Sequence, residues 1–164
     1  SCLGNHELFT EKLIGFSPVE RMMRDKGVLH LDGQSLVNFY VGEQCYKMVI
    51  THKTPSHSAI HLLAGNKKIW EQTHCDICIS ADTHAPAIEQ FSGLAGGGKY
   101  DDKVVLVKVG TYKTEGDMFA ERNFGRSKSG APTLVLFPFE RRIVPFSSAK
   151  DAIVFMRGYN ESEK

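Results

Sequence analysis

Cys75-Asp76-Ile77-Cys78-Ile79-Ser80-Ala81-Asp82 decides how the rest of the chain is read. Upstream of it, Tyr46-Lys47-Met48-Val49-Ile50-Thr51 is an apolar run of strand length. Downstream, Ile79 to Leu94 carries Ile88, Phe91 and Leu94 at helical spacing, with Ala95 beyond, and ends in Gly96-Gly97-Gly98, so a helix is expected after the cysteines. A thiol between a strand and the first turn of a helix is favoured as thiolate by unpaired backbone N–H groups and the helix dipole. The two-residue spacer lets a second thiol reach a mixed disulfide formed by the first, which makes Cys75 the attacking and Cys78 the resolving thiol. Half of a zinc site, or two unrelated buried thiols, would give the same spacing.

Working outward, Ser17-Pro18-Val19-Glu20 combines a Ser cap, Pro at the first helical position and Glu three residues after the cap, and starts a helix that runs to Gly27. Val28 to Leu31 alternates as a short strand, and Leu36, Val37 and Tyr40 lie at helical spacing before Gly42. Residues 52 to 74, with His52, Pro55, His57, His61, Gly65 and His74, form the least regular stretch. They are expected to be a long loop with at most one helical turn around Ser58 to Ala64. Lys103 to Val109 is the clearest strand, Asp117 to Phe124 a helix, and Thr133–Phe137 and Arg141–Val144 a hairpin around Pro138-Phe139-Glu140. Ser147 or Ser148 caps a last helix through Phe155. Alternating helices and strands with a late hairpin predict an α/β fold with a mixed central sheet flanked by helices.

The chain has 164 residues, 41% hydrophobic and 24% charged, enough to bury the core of one domain. Twenty Lys and Arg against nineteen Asp and Glu give a net charge of +1, which offers nothing to nucleic acid. The apolar runs are too short to span a bilayer. Starting at Ser1 without Met, the sequence is expected either to have lost a targeting segment or to be a piece of something larger. Cys2 and Cys45 read as a terminal residue and a core residue, or as partners in an oxidising compartment. His52, His57, His61, His74 and His84 surround the cysteine pair, but no His pair follows Cys78 at zinc-finger spacing, so no metal is assigned. Lys103, Lys108, Lys113, Arg141 and Arg142 read as solvated charge at strand edges. No Ser/His/Asp order, phosphate loop or paired-carboxylate signature occurs, and Asn160-Glu161-Ser162 is a glycosylation triplet.

Cys75-Asp76-Ile77-Cys78 followed by Ala81-Asp82, then Thr114-Glu115-Gly116-Asp117-Met118-Phe119, then Ser129-Gly130-Ala131-Pro132-Thr133 running to Phe137-Pro138, resembles the lumenal thioredoxin-like domain of the oxidoreductase subunits of oligosaccharyltransferase. The resemblance implies one thioredoxin-like domain over residues 1–164, with 1–16 an extension, 52–74 an inserted loop and 158–164 a tail toward membrane helices. It implies an endoplasmic reticulum lumenal domain that captures nascent polypeptides by mixed disulfide or in a groove, beside other oligosaccharyltransferase subunits. It needs no cofactor and touches the membrane only through those later helices. Ala131 and Pro132 would bind substrate, the Ala131–Pro132 bond being cis and facing the cysteines. From the residues themselves, His74 directly before Cys75 would lower its pKa by charge, and residues 52–74 are expected to form a flap in which Ile60, Leu62, Leu63, Ile69 and Trp70 wall a peptide groove with Trp70 as anchor, or else these five finish the core. If Ala85-Pro86 is instead the helix-kinking pair of thioredoxins, Cys78 becomes the first position of the motif. A free lumenal disulfide oxidoreductase and a redox-inactive peptide- or zinc-binding module are the alternatives.

Overall fold

The structure is a computed structural model that describes residues 5–29, 31, 33–55, 58, 60–83, 85–93, 102–110 and 131–162. Three strands run parallel through the middle of one sheet: β2 (Gln44–Thr51), β3 (Ile77–Ser80) and β5 (Asp102–Lys108). β1 (Ser35–Val41) lies antiparallel on β2, and β4 (Ala87–Gly93) antiparallel on β5, giving the order β1-β2-β3-β5-β4. The centre is where the Val-rich run has to be, since a strand covered on both faces needs apolar residues at successive positions. Val104, Val105, Leu106 and Val107 are all buried. A separate hairpin pairs β6 (Thr133–Leu136) with β7 (Ile143–Phe146).

The described residues include four helices. α1 (Asn5–Ile14) and α2 (Pro18–Asp25) precede the sheet, and Ser17 caps α2 by accepting from the Glu20 N–H at 3.2 Å. One face of the sheet meets α3 (Ala64–Thr73), where Leu63 and Ile69 join Val49, Cys75, Cys78, Val104 and Leu106. The other face, through Tyr46, Ile77, Val105 and Val107, meets Ile143, Leu134 and Leu136 of the hairpin. α4 (Ala149–Ser162) closes over the hairpin, with Phe155 against Phe146 and Tyr159 edge-on to Phe137.

The α/β class and mixed sheet are as the sequence implies, and so are β2, β5, the hairpin strands and α2. The last helix is capped by Ser148, whose hydroxyl accepts from the Asp151 N–H, and it continues beyond Phe155 to Ser162. Four local readings are corrected. The 36–40 spacing belongs to β1, which turns back through Gly42-Glu43. Gly42 sits at φ +56, and a Cβ there would lie 2.5 Å from the Pro138 Cβ, so the turn requires glycine twice over. Val28 and Leu29 are not in a strand. The long loop contains the ten-residue α3, and the expected helix from Ile79 is not one: its described residues, as far as Gly93, hold the end of β3, a turn and β4. Asp82, at φ +77, and Pro86 break the helical path between them. The expected helix at 117–124 lies outside the described residues.

Tyr46 ties the two layers together. Fully buried, its hydroxyl lies 2.9 Å from the Phe137 carbonyl oxygen and 3.2 Å from those of Glu140 and Arg142, and it accepts from the Arg142 N–H at 3.4 Å. Tyr46→Phe keeps the ring and strips these buried groups of a partner. It should lower stability by about 1–3 kcal/mol, seen as a lower urea midpoint with an unchanged slope.

Candidate functional site

Cys75 and Cys78 are both unbonded thiols, and both are buried, at 1% and 0% exposure. Cys75 follows the C-cap of α3, and Cys78 is inside β3, so neither meets a helix N-terminus. The motif therefore does not have the strand-to-helix setting read from the sequence. The sulfurs are nevertheless in hydrogen-bond contact, and that contact divides them: Cys75 is lowered to about 7, first by the hydrogen bond of Cys78 and also by those of Thr73 and backbone groups, against the opposing effect of burial. Cys78 is pushed far up by the same bond and by burial. These hydrogen bonds take the part expected of a charge on His74.

The expected substrate-binding residues are dispersed. No cis peptide bond occurs among the described residues, so Ala131–Pro132 is trans. The strand that Pro132 opens packs on the sheet face opposite the cysteines, since Leu134 and Leu136 join the Tyr46 cluster while Cys75 and Cys78 join the Leu63 cluster. Trp70 is half-buried core, edge-on to Phe91 at 4.9 Å between ring centroids. His74 caps α3 in the left-handed conformation at φ 48, its ring 6.0 Å from that of Trp70. Residues 64–73 are a packed helix rather than a flap, with Ile69 1% exposed.

A second cluster forms at the other end of β3, where the C-terminal ends of the three parallel strands lie side by side. His52 follows β2, Asp82 follows β3, and Lys108 ends β5. His52 Nε2 and Asp82 Oδ1 are 3.6 Å apart, both side chains about three-quarters buried. Ala81 N–H donates to the His52 carbonyl at 3.3 Å, which sets the two loops side by side. Lys108 is 2% exposed, not the solvated strand-edge charge read from sequence. Desolvation lowers its pKa, and the Asp82 carboxylate partly offsets that. The Thr83 hydroxyl is the one buried side-chain oxygen or nitrogen without a hydrogen-bond partner among the described residues. Thr51, Thr54, Asn66 and Ser80 are buried at the same end. Burying polar groups is costly, and open α/β sheets bind ligands outside the carboxyl ends of their strands, which makes this edge a candidate site. His84, two residues beyond Asp82, lies outside the described residues. Sequence reading passed over His52, Asp82 and Lys108 as a set: His52 and Lys108 border runs that read as strand, while Asp82 fell inside the expected helix from Ile79.

The dithiol gives a direct spectroscopic expectation. Ultraviolet thiolate absorbance should be present above about pH 7 and vanish as the pH falls through that value, because Cys75 is the group lowered there. Cys78→Ala removes the principal hydrogen bond, so the transition should move up toward the ordinary thiol range. A transition that stays in place would show that Cys78 does not hold the thiolate.

No protein-family model matches this chain, and no curated protein does. Among solved structures it is similar to Vps29 from Entamoeba histolytica, a structure described as complexed with Zn2+, at 12% identity and a TM-score of 0.40, over 78% of this chain and 67% of that one. At that score the likeness bears on neither fold nor chemistry.

Proposed function

We propose that the edge formed by His52, Asp82 and Lys108 is the site of a metal-assisted hydrolase acting on a phosphoester. The observation that carries this reading is the meeting of His52 Nε2 and Asp82 Oδ1 at 3.6 Å, on loops leaving adjacent parallel strands. An imidazole nitrogen and a carboxylate oxygen are ligand types of zinc, manganese and iron, and since no group of three His, Cys, Asp or Glu side chains gathers among the described residues, water and substrate would have to supply every other position. The unpartnered Thr83 hydroxyl beside Asp82 supplies a further polar group directed at no protein partner. A bound divalent cation would supply an acidified water and polarise the ester. Asp82 stands at a positive φ, and its carboxylate favours the charged form of the buried Lys108 against desolvation. A cation next to a metal asks for a substrate that stays negatively charged through the reaction, as a phosphoester does and a neutral ester does not.

Calorimetric titration of manganese or zinc, followed by hydrolysis of 4-nitrophenyl phosphate, tests the reading. His52→Ala and Asp82→Asn should each weaken cation binding about tenfold or more, and hydrolysis should fall with it. Unchanged binding in both variants would sink the proposal. The Lys108 charge is present below its depressed pKa and lost as the pH rises through it, so KM should climb at a pH below the ordinary lysine value of 10.5. In Lys108→Met that alkaline rise should disappear.

The dithiol favours a second reading, thiol–disulfide exchange as in the oligosaccharyltransferase subunits, with nascent polypeptides as partners in the endoplasmic reticulum lumen. Its support is a Cys75 thiol lowered to about 7 next to a second thiol. Substrate would have to reach sulfurs that the fold covers, so Cys78→Ser should trap a cysteine peptide only under conditions that open the α3 face. Rapid trapping by the closed protein would favour this function over the hydrolase.

A further inference from the structure

β1 is an outer strand of the sheet, and among the described residues only β2 pairs with it. Its seven residues, Ser35-Leu36-Val37-Asn38-Phe39-Tyr40-Val41, contain no charge, proline or glycine. Those are the devices that keep an edge strand from pairing with another chain. The opposite edge, β4, has them: Pro86 precedes it, Glu89 sits within it, and Gln90 Nε2 donates to the Ile143 carbonyl of the hairpin at 3.0 Å. In β1, Val41 and Gln44 flank a two-residue turn as hydrogen-bonded partners. By alternation Val37 and Phe39 direct their backbone groups at β2, while those of Leu36, Asn38 and Tyr40 point outward. The side chains of these last three share the sheet face on which α3 lies, since Leu36 is the register partner of Val49. α3 packs farther in, on β3 and β5, and leaves Leu36 60% and Tyr40 70% exposed.

We propose that β1 pairs with β1 of a second copy of this chain, antiparallel about a twofold axis at Asn38, so that one sheet runs through a dimer. The strand is close to a palindrome about that residue. Leu36 lies opposite Tyr40 of the second copy and Val37 opposite Phe39, while Asn38 meets itself, an amide that both donates and accepts. The backbone asks for the same register independently. Leu36, Asn38 and Tyr40, whose N–H and C=O groups face outward, meet one another as hydrogen-bonded pairs, and each pair exchanges two bonds. A slip of one residue sets outward-facing groups against inward-facing ones and turns the matched side chains to opposite faces. An isologous contact requires a self-complementary patch, and β1 is one. A strand from a different protein would require no such symmetry, so the palindrome points to a second copy.

Sedimentation velocity over a range from about 1 µM to about 1 mM chain should show a monomer–dimer equilibrium with its midpoint at tens of micromolar, because one strand pair is a small interface. Amide hydrogen exchange reads the register. Between the two ends of that range the Leu36, Asn38 and Tyr40 amides should slow about tenfold, while those of Val37 and Phe39, already bonded to β2, should not change. Asn38→Lys and Asn38→Asp each place like charges on the axis and should be monomeric alone, and mixing the two should restore the dimer. Asn38 is exposed, so both variants should keep the far-ultraviolet circular dichroism of the parent, and rescue on mixing excludes misfolding as the cause of dissociation. A chain still monomeric at the highest concentration would overturn the proposal and leave the edge to a strand of another protein. A dimer that survives in either variant alone, species that grow beyond the dimer, or exchange that slows equally at all five amides would overturn it as well.

Discussion

Asn66 is fully buried, and its amide is used on both sides: Nδ2 donates to the carbonyls of Val107 at 3.0 Å and Cys78 at 3.2 Å, and Oδ1 accepts from the Ser80 hydroxyl at 2.9 Å. These bonds fix the first turn of α3 against β3 and β5 at the point where the two strands end. An apolar residue of the same size would leave the Ser80 hydroxyl and two carbonyls unpaired in the core. Gly65 next to it is buried too, so the helix comes close to the sheet here. The cover that α3 places over the cysteines follows from that contact. The helix has no side-chain cap at its start, and the fixed position of its N-terminal turn comes from Asn66 instead.

β3 then separates two chemistries along one short strand. At its beginning Asp76 pairs with Arg141 and accepts from the Lys47 N–H at 2.7 Å, while Cys75 and Cys78 face α3. Residues three apart in an unbroken strand point to opposite faces. Both cysteines share a face because Cys75 lies ahead of β3, before a bend at Asp76. The thiol contact is thus a product of the strand entrance, where the surrounding bonds are those of a framework: Asp76 holds β2 and β5 through its backbone and the hairpin loop through Arg141. At the far end the backbone bonds continue from Ala81 to His52 and from Val109 to Ser80, and titratable side chains converge beside them. The first arrangement is what a core junction requires, and the second leaves room for a ligand.

How much of this the sequence shows depends on the distance over which each signal acts. The Ser17 cap, the Val-rich β5, the buried β2 and the hairpin are local patterns, and they are read correctly. β1 and β4 are misread because Leu36, Val37 and Tyr40, or Ile88 and Phe91, fit a helical period as well as a strand's. In β4, Ala87 and Phe91 serve the α3 face while Ile88 serves the other, an arrangement only the neighbouring strand can impose. α3 carries few apolar residues and no cap, so nothing in residues 64–73 announces it. The cysteine pair is conspicuous because its two members are adjacent in sequence. His52, Asp82 and Lys108 are scattered over more than fifty residues and meet only because parallel strands bring their carboxyl ends together.

The strand-end cluster also sits uneasily with stability, and that is informative. Lys108 is buried with its pKa lowered, so its charged form is disfavoured by the fold, and the Asp82 carboxylate only partly offsets this. An uncharged residue at the end of β5 would finish the α3-side core below Leu106 without that penalty. Asp82 adds a positive φ that glycine or asparagine would adopt more readily, and Thr83 an unsatisfied hydroxyl. Three adjacent departures from what folding favours, all aimed at one edge and none needed to hold the sheet, are accounted for together if that edge binds a ligand whose charge and hydrogen bonds complete them.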